Sequence, residues 1–229
     1  MCLYDPTRHH RRSIRLQGYD YTQPGAYFIT LVTHDRAHLF GHVVDGEMQL
    51  NAWGEIVREE WFKTAQIRPY VQLQDDEFVV MPNHVHGIVW IVENDDDAAV
   101  GNDAMVGDDA TVGARRRRAP TTIHVERFGA PVPGSIPTIV RAFKSAVTHR
   151  INALRGTPGA SVWQRNYYEH IIRDERARVG ANSRSPLHAI RQYIIENPLR
   201  WHLDRHNPER TAEDPLAREI WTHLTEEQP

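Results

Sequence analysis

The run Glu77-Phe-Val-Val-Met-Pro-Asn-His-Val-His-Gly-Ile-Val-Trp-Ile-Val92 constrains the fold more than any other part of this chain. Two stretches rich in β-branched and aromatic residues flank Pro82-Asn83, which predicts two paired strands around that dipeptide. Side chains alternate across a strand, so His84 and His86 point to one face of the sheet. Two imidazoles on one face are half of a metal site, or else core or surface histidines with satisfied hydrogen bonds. A second segment that supplies further ligands decides between these readings.

The remaining pattern mixes strands and helices. Ala26 to Thr33 reads as a strand, and Gly46 to Leu50 as a short second one. Asn51 stands where an N-cap belongs, and Trp53 to Gln66 has helical spacing. Ser135 and Pro137 open another helix, with Ile139, Val140, Phe143, Val147 and Ile151 on one side and Arg141, Lys144, Thr148 and Arg155 on the other. Val162 to Arg173 is strand-like, and Pro186 opens a helix from Leu187 to about Asn197, limited by Pro198. This order predicts an α+β domain with helices packed on one face of an antiparallel sheet. Residues 1–24 read as an N-terminal extension and 25–203 as the domain. Residues 93–135, with Asp95 to Asp97 and Arg115 to Arg118, read as a mobile insertion, and 204–229 as an acidic C-terminal extension with room for one short helix.

Charge is unevenly placed. The net charge is −3, but residues 136–203 carry 11 Lys/Arg against 4 Asp/Glu, whereas 204–229 carry 3 against 7. A basic segment of this kind fits a polyanion partner or a solvated helix face. Arg141, Lys144, Arg173 and Arg191 are the candidate phosphate contacts. An acidic tail can in principle cover that basic face. The one cysteine, Cys2, leaves no disulfide framework and no cysteine-type zinc site, which fits a reducing cytoplasm. No stretch approaches the roughly 20 apolar residues of a membrane span, and the N-terminus lacks the apolar core of a signal peptide.

No His-Glu-x-x-His, Walker loop, dinucleotide-binding glycine motif or Gly-x-Ser-x-Gly is present. The last helix offers the missing ligands instead. Tyr193 and Asn197 are four residues apart and share a helix face. An amide oxygen beside two imidazoles suits Mg²⁺ or Mn²⁺ holding a phosphate oxygen as a Lewis acid. Tyr193, one turn from that amide, is then placed to attack phosphorus. The competing reading makes Tyr193 a core residue and Asn197 a helix end before proline. Tyr167 and Tyr168 are rival nucleophiles, but the residues four along are Ile171 and Ile172, neither of them a ligand type.

These blocks together resemble the single-tyrosine HUH transposases, in particular the REP-associated tyrosine transposases. The matching residues are Val79 to Ile88, the helix around Phe143-Lys144, Trp163-Gln164 leading into Tyr168-Glu-His-Ile-Ile-Arg173, and Tyr193-Ile-Ile-Glu-Asn197-Pro198. The resemblance runs in order from about residue 18 to 203 and is interrupted at 93–135. It implies a ferredoxin-like α+β domain, a metal held by His84, His86 and Asn197, and Tyr193 as the catalytic tyrosine. The implied activity is cleavage and rejoining of single-stranded DNA at hairpin-forming palindromic repeats through a 5′-phosphotyrosine. A relative that binds hairpins without cutting them, or a metal-dependent phosphohydrolase that uses water, is the alternative.

Overall fold

The structure is a computed structural model that describes residues 16, 18–93, 132–172 and 185–226. Most of the insertion expected at 93–135 lies outside the described residues, as do Arg173 and the N-terminal residues to 15. At the centre of the sheet is β1 (Gly25–Val32), buried from Ala26 to Leu31. The hairpin strand β2 (Gly41–Val44) pairs with β3 (Glu47–Leu50), and α1 (Ala52–Ile67) follows. Next come β4 (Val71–Gln72), β5 (Phe78–Met81) and β6 (His84–Ile91). The chain continues through α2 (Ile136–Arg155), β7 (Tyr168–Ile172), α3 (Pro186–Glu196) and α4 (Pro215–Glu226).

β6 and β7 flank β1, both antiparallel to it, and β5 then β4 line the far edge of β6. Setting aside the β2–β3 hairpin, this is a βαββαβ unit with an antiparallel sheet, the ferredoxin-like α+β arrangement that was expected. No helix among the described residues is long and apolar enough to cross a membrane.

The helices differ from expectation by covering both faces of the sheet. Tyr27, Ile29, Leu31, Val85 and Val89 pack with Ile56, Val57 and Trp61 of α1 and with Phe143, Val147 and Ile151 of α2. Ala26, Phe28, Ile88 and Ile172 point the other way, onto Ile190, Tyr193 and Ile194 of α3 and Ile220 of α4. The cause is visible in β1, which is apolar at successive positions, so both of its faces need cover. Each fully buried Phe, Leu or Ile side chain contributes about 1.5–3 kcal/mol, and both layers draw on it. An amphipathic stripe shows that a helix has an inner side, but not which sheet face receives it.

Local chemistry explains most element boundaries. Asn51 caps α1, its Oδ1 accepting from the backbone N–H of Trp53 and Gly54 at 2.9 and 3.0 Å. Ser185 caps α3 in the same way, accepting from His188 N, with Pro186 behind it. β2 was not anticipated. Its turn is Asp45-Gly46, with φ of 50° and 79°, the left-handed pair that a two-residue hairpin turn requires. The strand expected over 162–173 is limited to β7. Ahead of it Trp163 makes one bridge to Thr33, and the Lys144 ammonium donates to the Gln164 and Arg165 carbonyls, which would otherwise be free for a neighbouring strand.

Candidate functional site

β6 carries the histidines to the α3 side of the sheet, because His84, His86 and Ile88 share one face. Both imidazoles are fully buried, with ring centroids 4.6 Å apart. Asn83 sets the state of the first. Its Nδ2 donates to the carbonyls of Arg36 (3.1 Å) and His206 (2.8 Å), so its Oδ1 is the atom facing His84 Nδ1 at 2.9 Å. An amide oxygen only accepts, so Nδ1 carries the hydrogen and Nε2 keeps a bare lone pair. His86 is held from below by Thr30, its cross-strand partner, with Nδ1 2.8 Å from Oγ1. Its Nε2 faces the phenol of Tyr193 at 3.4 Å.

The third wall comes from α3 and the turn after it. Asn197 sits at the C-cap of α3, buried, one turn beyond Tyr193. Its Nδ2 donates to Asp204 Oδ2 at 3.3 Å, while its Oδ1 has no hydrogen-bond partner. Asp204 is buried, accepts from the backbone N–H of His206 at 2.6 Å through Oδ1, and brings Oδ2 to 3.6 Å from His84 Nε2. One ligand atom from each of His84, His86 and Asp204 falls within 4.8 Å of the others. His206 closes the cluster, its ring 4.7 Å from that of His84.

Burial governs the charge state of the imidazoles. Burial pushes the His84 imidazole down to about 3, with the Asn197 amide opposing and His38 adding to the shift. Burial likewise drives His86 well below the ordinary histidine range, helped by the charges of His84, His206 and Arg205. At neutral pH these rings are therefore uncharged, and the contact between His84 and Asp204 is no ion pair. A buried carboxylate, a bare imidazole nitrogen and an unpartnered amide oxygen converge in one place, which is the donor set of a divalent cation. The residues thus fit a metal, with His84, His86 and Asp204 as ligands and Asn197 Oδ1 adjoining them. Burial, then the charges of Asp204 and Asp214, raise the Tyr193 phenol well above its usual range, against weaker opposing effects from Asn197 and Arg205.

Of the expected site residues, the structure brings together His84, His86, Tyr193 and Asn197. The expected cations lie elsewhere. Arg141 is exposed on α2, across the sheet, and Lys144 is occupied with backbone carbonyls on that same side. Arg191 is bound to the buried Glu77, its Nε and Nη2 reaching Oε1 at 2.7 and 2.5 Å, while Trp90 Nε1 donates to Oε2 at 2.6 Å. That arrangement ties α3 to the sheet edge. Trp163 is buried between Phe40 and Phe143. Tyr167 and Tyr168 fall on opposite faces, and Tyr168 shares the site's face, but the phenol beside His86 is that of Tyr193. The residues missed were Asp204 and His206. Both precede α4 in a stretch without periodicity. The available signal was chemical, an acid and a histidine two apart shortly after Asn197-Pro198.

No protein-family model matches the chain. An uncharacterized protein of Haemophilus influenzae (strain ATCC 51907 / DSM 11121 / KW20 / Rd) is 36% identical over 205 residues, covering 88% of this chain and 96% of that one. The two belong to one family. Among solved structures, that of a REP-associated tyrosine transposase bound to a REP hairpin is similar, with a TM-score of 0.45 and 20% identity over 84% of this chain and 73% of that one. At that level the fold rests on this chain's own topology, described above.

Proposed function

We propose that this protein is a metal-dependent, single-stranded DNA endonuclease and strand transferase of the single-tyrosine HUH type, acting on hairpin-forming palindromic repeats. The ordered sequence blocks support this reading. The observation that carries it is the Tyr193 phenol 3.4 Å from His86 Nε2, inside a cluster that also holds His84, Asp204 and Asn197. A bound Mg²⁺ or Mn²⁺ supplies Lewis acidity toward a phosphodiester oxygen and a positive field beside the phenol. Tyr193 Oη forms a bond to phosphorus, the bond from phosphorus to the 3′ oxygen breaks, and the phenolic proton ends on that oxygen. The 5′-phosphotyrosine conserves the bond energy, so a 3′-OH can reverse the step without an external energy source. Asn83 fixes the tautomer of His84, and Thr30 fixes the ring of His86.

A labelled hairpin with single-stranded flanks, incubated with Mn²⁺ and run on a denaturing gel, tests the reading. Wild type should give a covalent protein–DNA adduct, and Tyr193→Phe none. An adduct that survives Tyr193→Phe refutes the tyrosine, and product without any adduct points to a water-using phosphohydrolase. One observation favours a second reading, a hairpin-binding relative that no longer cuts. Tyr193 is 2% exposed, and its surroundings keep the phenol protonated. That reading expects retained hairpin affinity and no adduct in wild type.

A further inference from the structure

After Asp204 the chain contains three basic residues, Arg205, Arg210 and Arg218, and all three line one groove of about 400 Å³ beside α4. This gathering occurs in a segment that is acidic overall. Two of the acids are engaged elsewhere. Asp204 faces the histidines. Asp214, also in the lining, is buried, accepts from Leu216 N at 2.9 Å at the start of α4, and pairs with Arg200 at 3.1 Å. Glu213 offsets one of the three arginines, leaving the groove cationic.

The apolar wall of the groove is Trp221. The Arg205 guanidinium sits 5.3 Å above its ring, a cation–π placement that holds a long side chain in position. Tyr168 supports Trp221 edge-on at 4.5 Å, and Phe28 lies 6.1 Å away. Phe28 in turn stacks on His86 at 5.5 Å. Phe28 thus links the groove's Trp221 to His86, and Arg205, a lining residue of the groove, is next in sequence to Asp204. Its charge is felt at both Tyr193 and His86. The volume lies at the lower end of the range for ligand sites, about 300–1,000 Å³, which suits one nucleotide rather than a duplex.

We propose that this groove seats one nucleotide of the DNA strand adjoining the cleaved phosphate, with its phosphate on Arg205, Arg210 and Arg218 and its base against Trp221. Fork-shaped guanidinium groups suit phosphate, and an aromatic ring accepts any base by stacking. The identity of the strand rests on the function proposed above, whereas the groove's preference for a nucleotide does not.

The test is fluorescence anisotropy of the full-length protein with a labelled oligodeoxythymidylate of about 12 nucleotides, in EDTA so that the metal cluster contributes nothing. Replacing Arg205 and Arg218 together by Gln should weaken binding about tenfold or more and reduce the slope of log affinity against log salt by about 1.4, near 0.7 for each single-strand phosphate contact. Arg58→Gln, at an exposed position of α1 across the sheet, should change neither. An abasic oligonucleotide should bind wild type more weakly but lose nothing further with Trp221→Leu. Since Trp221 also packs on the core, the double arginine variant carries the test if Trp221→Leu unfolds. Unchanged affinity and salt slope in the double variant overturn the proposal. So does equal competition by polyglutamate or oligouridylate, which would mean selection for charge alone or for RNA. Lost binding in the double variant with no adduct in wild type keeps the groove and removes the strand transferase. Normal binding in the double variant with an adduct in wild type does the reverse.

Discussion

Asp204 Oδ2 lies 3.6 Å from His84 Nε2, and the two are buried together although no regular element connects them directly. The imidazole is uncharged at neutral pH and the carboxylate has only a weak donor on that oxygen, so the pair offers a bare nitrogen and an oxygen that fit a divalent cation. Mn²⁺ titration by calorimetry should therefore show one site in wild type. Asp204→Asn, nearly isosteric, should weaken it by at least about tenfold, and Asn83→Ala by about 10–100-fold through loss of the His84 tautomer. Tyr193→Phe should bind Mn²⁺ as wild type does. Equal affinity in wild type and Asp204→Asn removes Asp204 from the ligand set.

Arg191 tests whether a cation expected to touch DNA instead supports the fold. Its partner Glu77 is fully buried and also accepts from Trp90. Arg191→Ala leaves an uncompensated buried carboxylate, at a cost of about 3–5 kcal/mol. Urea unfolding should show that loss. Wild-type stability combined with weakened DNA binding would restore the DNA-contact reading.

Acid should destabilise this protein earlier than carboxylates alone predict. An unfolded histidine takes up a proton near pH 6.5. Folded His84 resists protonation down to about 3, and burial shifts His86 and His206 in the same direction. Between these limits the unfolded state binds more protons, so stability is greatest above pH 6.5 and falls as pH falls. The slope is about 1.4 kcal/mol per pH unit for each proton taken up. Denaturant unfolding in EDTA from pH 7.5 to 5 should show more than one proton's worth of slope, and His84→Gln should reduce it. A flat profile over that range contradicts the neutral, buried cluster.

Tyr193 should contribute to stability through its ring rather than its hydroxyl. The ring packs with Ile190, Ile194 and Phe28's side of the sheet, whereas the hydroxyl's contact with His86 is long, at 3.4 Å. Tyr193→Ala should cost about 3–5 kcal/mol, as large aromatic truncations do. Tyr193→Phe should stay within about 1 kcal/mol of wild type. A strongly destabilised Tyr193→Phe would mean that the hydroxyl is structural, and would compromise that variant as a test of chemistry.

The histidine pair was legible because strand periodicity is 2, and Tyr193 with Asn197 because a helix repeats near four. The βαββαβ order followed from apolar spacing and from caps such as Asn51 and Ser185. Asp204 and His206 were not legible by the same means. They lie in a non-periodic turn, and what brings them in is tertiary: Asn83 Nδ2 donates to the His206 carbonyl from 123 residues away in sequence. The sheet's second helical layer was missed for a related reason. Ile190, Ile194 and Ile220 have ordinary helical patterning, and only the double-sided burial of Phe28 and Ile29 on one strand reveals that two faces await cover.

The late position of Asp204 has a consequence during translation. Every strand among the described residues has left the ribosome once Ile172 emerges, and Tyr193 and Asn197 emerge before the carboxylate does. A premature stop codon between Asn197 and Asp204 would produce a polypeptide that displays both histidines, the tyrosine and the amide, yet lacks the carboxylate of the buried cluster. Such a truncated gene would pass any inspection limited to its motifs, while its product would be missing a third of the His84, His86 and Asp204 group.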